Sequence, residues 1–342
     1  MPNHDIVVIG ASAGGIEALQ QLLRALPEDL DAAILIVLHT SSHGGSFLPQ
    51  IMQRASRLPV FHPDDKTPVR KGTIYIAPPN YHMVVEGGLI RVLPGPRENL
   101  HRPAIDPLFR SAAASYGNRV IGMILTGLLD DGTSGLLVIR ARGGEAIVQD
   151  PDTALFAPMP KSALELVPDA HVCPLSEIPD LLIRLIGTEA PATALVADKT
   201  ECDAIHETRI AEFDMSELEN EHRNGRPSAF ACPDCGGVLW EINDENILRF
   251  RCRVGHAFTA RNLGAEQRQA IETALWSALR ALEENAALYR RLKDRALDSH
   301  HETSARIFEE RAASITTNAR TLRDFLLRVN EQGEERFAVE DT

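Results

Sequence analysis

From residue 5 to about 187, short apolar runs rich in Val and Ile alternate with segments of helical period. The runs Ile6–Ile9, Ala33–Leu38, Thr73–Ala77, Val120–Thr126 and Glu145–Val148 read as strands. Between and after them, roughly Gly15–Ala25, Ser46–Ala55, Pro107–Ser115, Thr133–Ala141 and Glu177–Ile186 carry a helical pattern. Strands that are apolar throughout are buried on both faces, and regular strand–helix alternation makes neighbouring strands parallel. The expectation is an α/β fold: a doubly wound, mostly parallel sheet with helices on both faces. One stretch departs from it. In "YHMVVEGGLIRVLP" two alternating runs flank Gly87-Gly88, which predicts a β-hairpin.

Past "RLIGTEAPATALVAD" the pattern stops, and about 40 polar, acidic residues without period read as a linker. The compact "ACPDCGGVLWEINDENILRFRCRVGH" follows, and then a long helical tract broken near "DSHHETS". In its second half Phe308, Ala312, Ile315, Ala319, Leu322, Leu326 and Val329 recur in alternating steps of four and three. That spacing is a coiled-coil seam, and two such helices most simply form an antiparallel hairpin. The expected division is an α/β domain over 1–187, an acidic linker over 188–228, a small cysteine-bearing segment over 229–262 and a helical hairpin over 263–332.

Composition narrows the function classes. Hydrophobic residues make up 44% and charged residues 24% of the 342, an ordinary globular balance. No apolar run reaches the roughly 18 residues that span a bilayer. "MPNHD" leads directly into the first strand without an export signal, so a cytoplasmic location is expected. A net charge of −13 argues against nucleic acid as a partner, because phosphate backbones are bound by clustered Lys and Arg. Of five cysteines, Cys232, Cys235 and Cys252 crowd together while Cys173 and Cys202 stand alone, a distribution that suits metal better than disulfides.

The opening "DIVVIGASAGGIEALQ" admits two readings. A dinucleotide loop wants G-x-G-x-x-G and an acidic residue closing the second strand. Here Ser12 takes the place of the second glycine and His39 closes the second strand, so that reading is disfavoured. The same letters satisfy G-x-S-x-G between a strand and a helix, which lifts a serine hydroxyl above the carboxyl edge of the sheet. A nucleophilic serine needs a base and the base an orienting carboxylate. His39 ends the second strand, and "TGLLDDGTSG" places Asp130 and Asp131 in another loop at the same edge. The alternatives are a structural turn, a capping or core histidine, and an aspartate that caps the helix at Thr133.

"VVIGASAGGIEALQ", "VLHT", "HRPAIDPLF", "TGLLDDGTSG" and "VQDPDTALFAPMPKSAL" together resemble the catalytic domain of the CheB-type chemotaxis receptor methylesterases over about residues 4–187. The resemblance implies Ser12 as nucleophile, His39 as base and Asp131 as its orienting carboxylate. It also implies hydrolysis of glutamyl methyl esters on chemoreceptors or related signalling proteins, with methanol released and no cofactor for the chemistry. By family position the main-chain N–H groups of Ala13 and Leu128 are the oxyanion donors, where the family often has threonine and methionine. Members usually carry a receiver domain ahead of the esterase, and here the first strand begins by residue 6, so the expectation is constitutive activity or control by the C-terminal part. Arg102 reads either as a contact to an acidic receptor surface or as part of a helix start punctuated by Pro103, Asp106 and Pro107. Met159 reads either as a core methionine or as lining for the substrate groove.

Cys232-x-x-Cys235 and, after sixteen intervening residues, Cys252-x-x-x-His256 offer four ligands in two close pairs, the pattern of a closed tetrahedral Zn²⁺ site. The histidine favours zinc over iron. So short a segment has too little core to fold alone, and it resembles a zinc ribbon of the C-P-x-C…C-R-x-G-H form that follows stand-alone methylesterase domains. The helices after it read as a docking or self-association hairpin, or as a seam that only packs on itself. The function expected first is a serine esterase. The alternative is a non-catalytic signalling adaptor that works through its zinc and helical segments.

Overall fold

The computed structural model describes residues 3–39, 47–190, 207–210, 225–242 and 247–339. Residues through Leu263 form one compact unit, and those from Gly264 onward form a second.

The first unit is built on a seven-stranded sheet in the order β10-β9-β8-β1-β2-β5-β3, with every neighbouring pair parallel. Its strands are β1 (Ile6–Ala11), β2 (Ala33–Leu38), β3 (Val60–Phe61), β5 (Thr73–Ile76), β8 (Val120–Ile124), β9 (Glu145–Gln149) and β10 (His171–Cys173). Because side chains alternate along a strand, the sheet feeds two separate cores. Val7, Ile9, Ile34 and Ile36 pack with Leu19, Leu22 and Leu23 of α1 (Gly15–Ala25), Met52 of α2 (Leu48–Gln53) and Leu182 of α6 (Ile178–Ile186). Val8, Leu35 and Val37 face the other way, onto Phe109 of α3 (Ile105–Tyr116), Leu136 of α4 (Thr133–Ala141) and Met159 of α5 (Pro158–Leu166). Burial on both faces explains why β1 and β2 are apolar at every position. Each fully buried leucine here contributes roughly 1.5–3 kcal/mol.

The predicted hairpin forms as β6 (His82–Glu86) and β7 (Leu89–Leu93), turned at Gly87 and Gly88 with φ of 56° and 81°. Two successive positive φ values are what a two-residue hairpin turn needs. The short β4 (Thr67–Pro68) pairs with β7 to complete a three-stranded antiparallel sheet. The helix α5 escapes the periodicity reading because Pro158 and Pro160 interrupt "FAPMPKSAL". Both prolines fall in its first turn, where no intrahelical donor is lost. Pro107 likewise lies in the first turn of α3, which begins at Ile105 rather than at the proline. Of the second expected helix, Ser46 lies outside the described residues, and α2 begins at Leu48.

A four-stranded antiparallel sheet follows, with β11 (Arg226–Ala231), β12 (Val238–Ile242), β13 (Arg249–Cys252) and β14 (Ala257–Thr259) in sequential order. Cys232, Leu239, Phe250, Cys252, Phe258 and Leu263 form its small core. Most of the stretch expected as linker lies outside the described residues. Its residues 207–210 are helical, and buried Glu207 pairs with Arg249 and Arg251 of β13. At that point the chain is packed rather than a free tether.

The second unit is a helical hairpin made from α7 (Ala260–Asp298), whose first four residues belong to the first unit, and α8 (Glu302–Val339), with an interruption at residues 299–301 where the break was expected. Lys293 pairs with Glu309, Tyr289 with Arg311 and Glu283 with Arg323, a descending register that makes the helices antiparallel. Ala312, Ala319 and Leu326 of the seam are buried, Phe308, Ile315 and Leu322 are half-buried, and the Val329 side chain lies outside the described residues. Among the described residues no helix is long and apolar enough to cross a membrane.

Candidate active site

The sheet order puts β2 on one side of β1 and β8 on the other, so the carboxyl end of β1 lies where the winding reverses, the usual ligand crevice of such sheets. Ser12 follows β1, His39 follows β2, and Asp131 lies in the loop after β8. Neighbouring backbones hold these loops together. Ser12 N donates to Thr126 O at 3.0 Å and His39 N to Ala11 O at 3.1 Å. Gly14, with φ of 72°, turns the chain into α1, and Gly15 N donates back to Ser12 O at 2.9 Å.

Nδ1 of His39 lies 3.3 Å from Ser12 Oγ, and Nε2 lies 2.9 Å from Asp131 Oδ2. An ionised carboxylate only accepts, so Nε2 carries the hydrogen and Nδ1 presents its lone pair to the serine hydroxyl. That tautomer can take the Ser12 proton. The side chains of His39 and Asp131 are 4% and 2% exposed, which keeps competing water from their bond.

Asp131 is cradled. Its Oδ2 also accepts from Ile105 N at 2.6 Å, and its Oδ1 accepts from Asn99 Nδ2 at 2.9 Å and Asp106 N at 3.3 Å. Burial alone would raise this carboxyl. The hydrogen bond from His39 and the positive charge that ring can carry, with further help from the Ile105 N–H, hold it well below the usual carboxylate range. Its neighbour Asp106 goes the other way, pushed up to about 7 first by burial and then by the Asp131 charge. His101 stacks on His39 with ring centroids 3.5 Å apart and planes 11° from parallel. Burial, then the nearness of His39, takes His101 down to about 3, so it stacks on His39 as a neutral ring. Asp130 turns away from the site to accept from Thr259 Oγ1 at 2.8 Å and from Asn262. The helix α4 is capped by Gly132 without a side-chain bond, so Asp131 does not serve as its cap.

Asn99, His101 and Asp106 were not singled out by sequence reasoning. His101 and Asp106 lie within "HRPAIDPLF", where the aspartate reads as helix punctuation, and Asn99 carries no local signal.

The other expected site residues divide. Met159 is fully buried, the core reading of its two, and donates from N to Gly127 O at 3.0 Å. A Cβ added at Gly127 would come 2.7 Å from Met159 Cε and 2.9 Å from Ser12 Cβ, so glycine there lets the methionine close the wall behind the serine. Arg102 donates from Nη1 to Gly95 O at 2.8 Å and to Pro94 O at 3.4 Å, bracing the loop before it. Ala13 follows Ser12 at the N-terminal end of α1. Leu128, in the loop after β8, is exposed, and neither N–H has a hydrogen-bond partner among the described residues.

In the four-stranded sheet, the ligand atoms of Cys232, Cys235, Cys252 and His256 lie within 4.8 Å of one another. Cys232 Sγ and His256 Nδ1 are 3.7 Å apart, Cys235 Sγ and Cys252 Sγ 3.7 Å, and Cys252 Sγ and His256 Nδ1 3.5 Å. Zn–S bonds near 2.3 Å and Zn–N bonds near 2.0 Å give tetrahedral edges of about 3.5–3.8 Å, so the cluster fits such an ion. Burial pushes the Cys232 thiol up to about 12 and raises Cys252 as well, a cost to the thiolates that a cation among them offsets.

The model of the CheB methylesterase family matches residues 7–182, just over half of the chain. A putative protein-glutamate methylesterase/protein-glutamine glutaminase of Leptospira interrogans is 39% identical over 184 residues, which is 54% of this chain and 95% of that one. A protein-glutamate methylesterase/protein-glutamine glutaminase of Anaeromyxobacter dehalogenans is 40% identical over 181 residues, 53% of each chain. The crystal structure of the Thermotoga maritima CheB methylesterase catalytic domain matches at a TM-score of 0.51 and 33% identity, covering 54% of this chain and all of that one. The chain belongs to the CheB methylesterase family.

Proposed function

We propose that the protein is a serine hydrolase that removes methyl esters from glutamate side chains of chemoreceptor-like signalling proteins. The hydrogen-bonded series Ser12–His39–Asp131 at the crevice carries this reading. His39 Nδ1 takes the Ser12 proton as Oγ attacks the ester carbonyl. The N–H groups of Ala13 and Leu128 receive the oxyanion, aided by the positive end of α1. The imidazolium, held by Asp131, returns its proton to the departing methoxide, and methanol leaves. Water, deprotonated by the same nitrogen, then opens the acyl-enzyme to free glutamate. A glutamine side chain entering the same site would form the same acyl-enzyme with loss of ammonia, in line with the double name of the relatives.

Cys232, Cys235, Cys252 and His256 would hold a structural zinc ion, with all four positions filled by protein and none left for catalysis. The ion would supply folding energy to the small sheet.

Methylated receptor membranes test the hydrolase reading. The wild-type protein releases methanol from them and His39→Gln reduces release to background. Full release by His39→Gln contradicts the assignment.

A further inference from the structure

Between the crevice and the small sheet lies the loop 97–101, whose residues face both. Ala257 N donates to Arg97 O at 3.1 Å and Asn99 N to Ala257 O at 2.8 Å, so the loop runs beside β14 as a short parallel bridge. Leu100 packs on the core that includes Cys232 and Cys252. Buried Glu98 pairs with Arg110 of α3 on one side and Arg251 of β13 on the other. His101 N donates to Glu98 O at 2.9 Å, closing the turn, while Asn99 and Leu100 stand at φ of 49° and 73°. Two consecutive left-handed residues that are not glycine persist only where their surroundings hold them.

Asn99 is the connecting piece. Its Oδ1 accepts from Thr259 N at 3.1 Å. A main-chain N–H can only donate, so the carboxamide must point its oxygen at β14 and its nitrogen at the crevice. The two hydrogens of Nδ2 go to Asp131 Oδ1 and Asp106 Oδ2, each at 2.9 Å. On the far side of β14, His256 immediately precedes Ala257, and Cys252 N donates to His256 O at 2.9 Å. The candidate metal ligand His256, just before β14, and Thr259 at its end, which clamps Asn99, are thus three residues apart.

We propose that Asn99 is a positioning residue for Asp131 and that the ribbon, folded around its metal, holds it there, so that esterase activity depends on an occupied ribbon. The inference rests on the Ser12–His39–Asp131 reading and on the metal fit. Without the ion the small sheet is left with a small apolar core, two of whose members are unligated thiols, and with the ion pairs of Arg249 and Arg251. β14 then no longer fixes the carboxamide, and Asp131 loses a donor.

The test uses the full chain, zinc-loaded and stripped by chelator, as wild type, Asn99→Ala and Ser12→Ala. Zinc content, kcat and KM on p-nitrophenyl acetate, and labelling of Ser12 by a fluorophosphonate are read in parallel. Loaded Asn99→Ala keeps its zinc and its KM, while kcat and labelling rate fall about ten- to a hundredfold, the scale of a small misplacement of a catalytic group. Stripping wild type causes a loss of the same size, and stripping Asn99→Ala adds nothing, because both remove one coupling. Undiminished kcat and labelling in stripped wild type overturn the proposal, as does multiplication of the two losses. Should stripping unfold the whole first unit, wild-type kcat in loaded Asn99→Ala overturns it instead. A chain that takes up no zinc overturns the metal dependence and leaves the triad standing. Failure of loaded wild type to label above Ser12→Ala defeats the triad reading itself.

Discussion

The crevice and the ribbon centre are two constellations in one compact unit, built by opposite means. Ser12, His39 and Asp131 come from three strand ends spread over more than a hundred residues and meet only because β8, β1 and β2 lie side by side. The four metal-ligand candidates lie within 25 residues, on the turns of a small antiparallel sheet. A large buried sheet can place distant groups to within hydrogen-bond distance unaided, whereas on the reading proposed above the small sheet would draw its order from an ion at its centre. The contrast predicts that damage to the crevice removes activity and spares the fold, and that damage to the ribbon does the reverse except through Asn99.

The largest effect expected is at the crevice. Asp131→Asn should lower kcat roughly 10⁴-fold, the scale known for the equivalent change in a serine protease triad. The cause is that an amide no longer enforces the tautomer with Nδ1 free. Its thermal melting, read by circular dichroism, should still show a cooperative sheet transition. Loss of that transition would mean that the carboxylate is as much a structural keystone as a catalytic group.

At the ribbon, Cys232→Ser should take bound zinc from about one ion per chain to near none, since a closed site tolerates no missing ligand. Metal analysis by mass spectrometry decides it, and unchanged stoichiometry would remove the ion from the account.

A smaller effect is expected from Gly127→Ala. Its new methyl meets Met159 and Ser12 at under 3 Å. Overpacking should cost about 1–3 kcal/mol, read as a lowered melting temperature, together with reduced kcat. An unchanged kcat would show that the Ser12 rotamer is not set by this wall.

The smallest is a pH effect. Because the folded Asp106 carboxyl is raised to about 7, the folded chain keeps a proton that the unfolded chain releases above its ordinary range near 4. Unfolding therefore releases a proton in that window, so Asp106 makes stability fall as pH rises from about 4 to about 7, with no further change above. Urea midpoints across that range should show the slope in wild type and lose it in Asp106→Asn. An identical slope in both would place the titration elsewhere.

The parallel sheet was legible because strands such as "IVVIGA" and "AILIVL" are apolar at every position, a pattern that only two-sided burial explains. The grouping of Ser12, His39 and Asp131 was legible through the family motifs and their positions at strand ends, and that of the Cys and His side chains of the small sheet through their spacing. Edge strands of two or three residues such as β3, β4 and β10 are too short to show a period. Asn99 could not be read, since its role depends on Thr259, 160 residues away, and no local pattern carries so distant a contact. The same holds for Glu207, which looked like one acid among many in a polar stretch and is buried between two arginines.

The most direct measurement of the central claim is methanol release from methylated receptor membranes, wild type and Ser12→Ala side by side. Release by wild type that falls to background in Ser12→Ala is the predicted result. Equal release by both would contradict Ser12 as the nucleophile, and no release by either would contradict the methylesterase reading on these receptors.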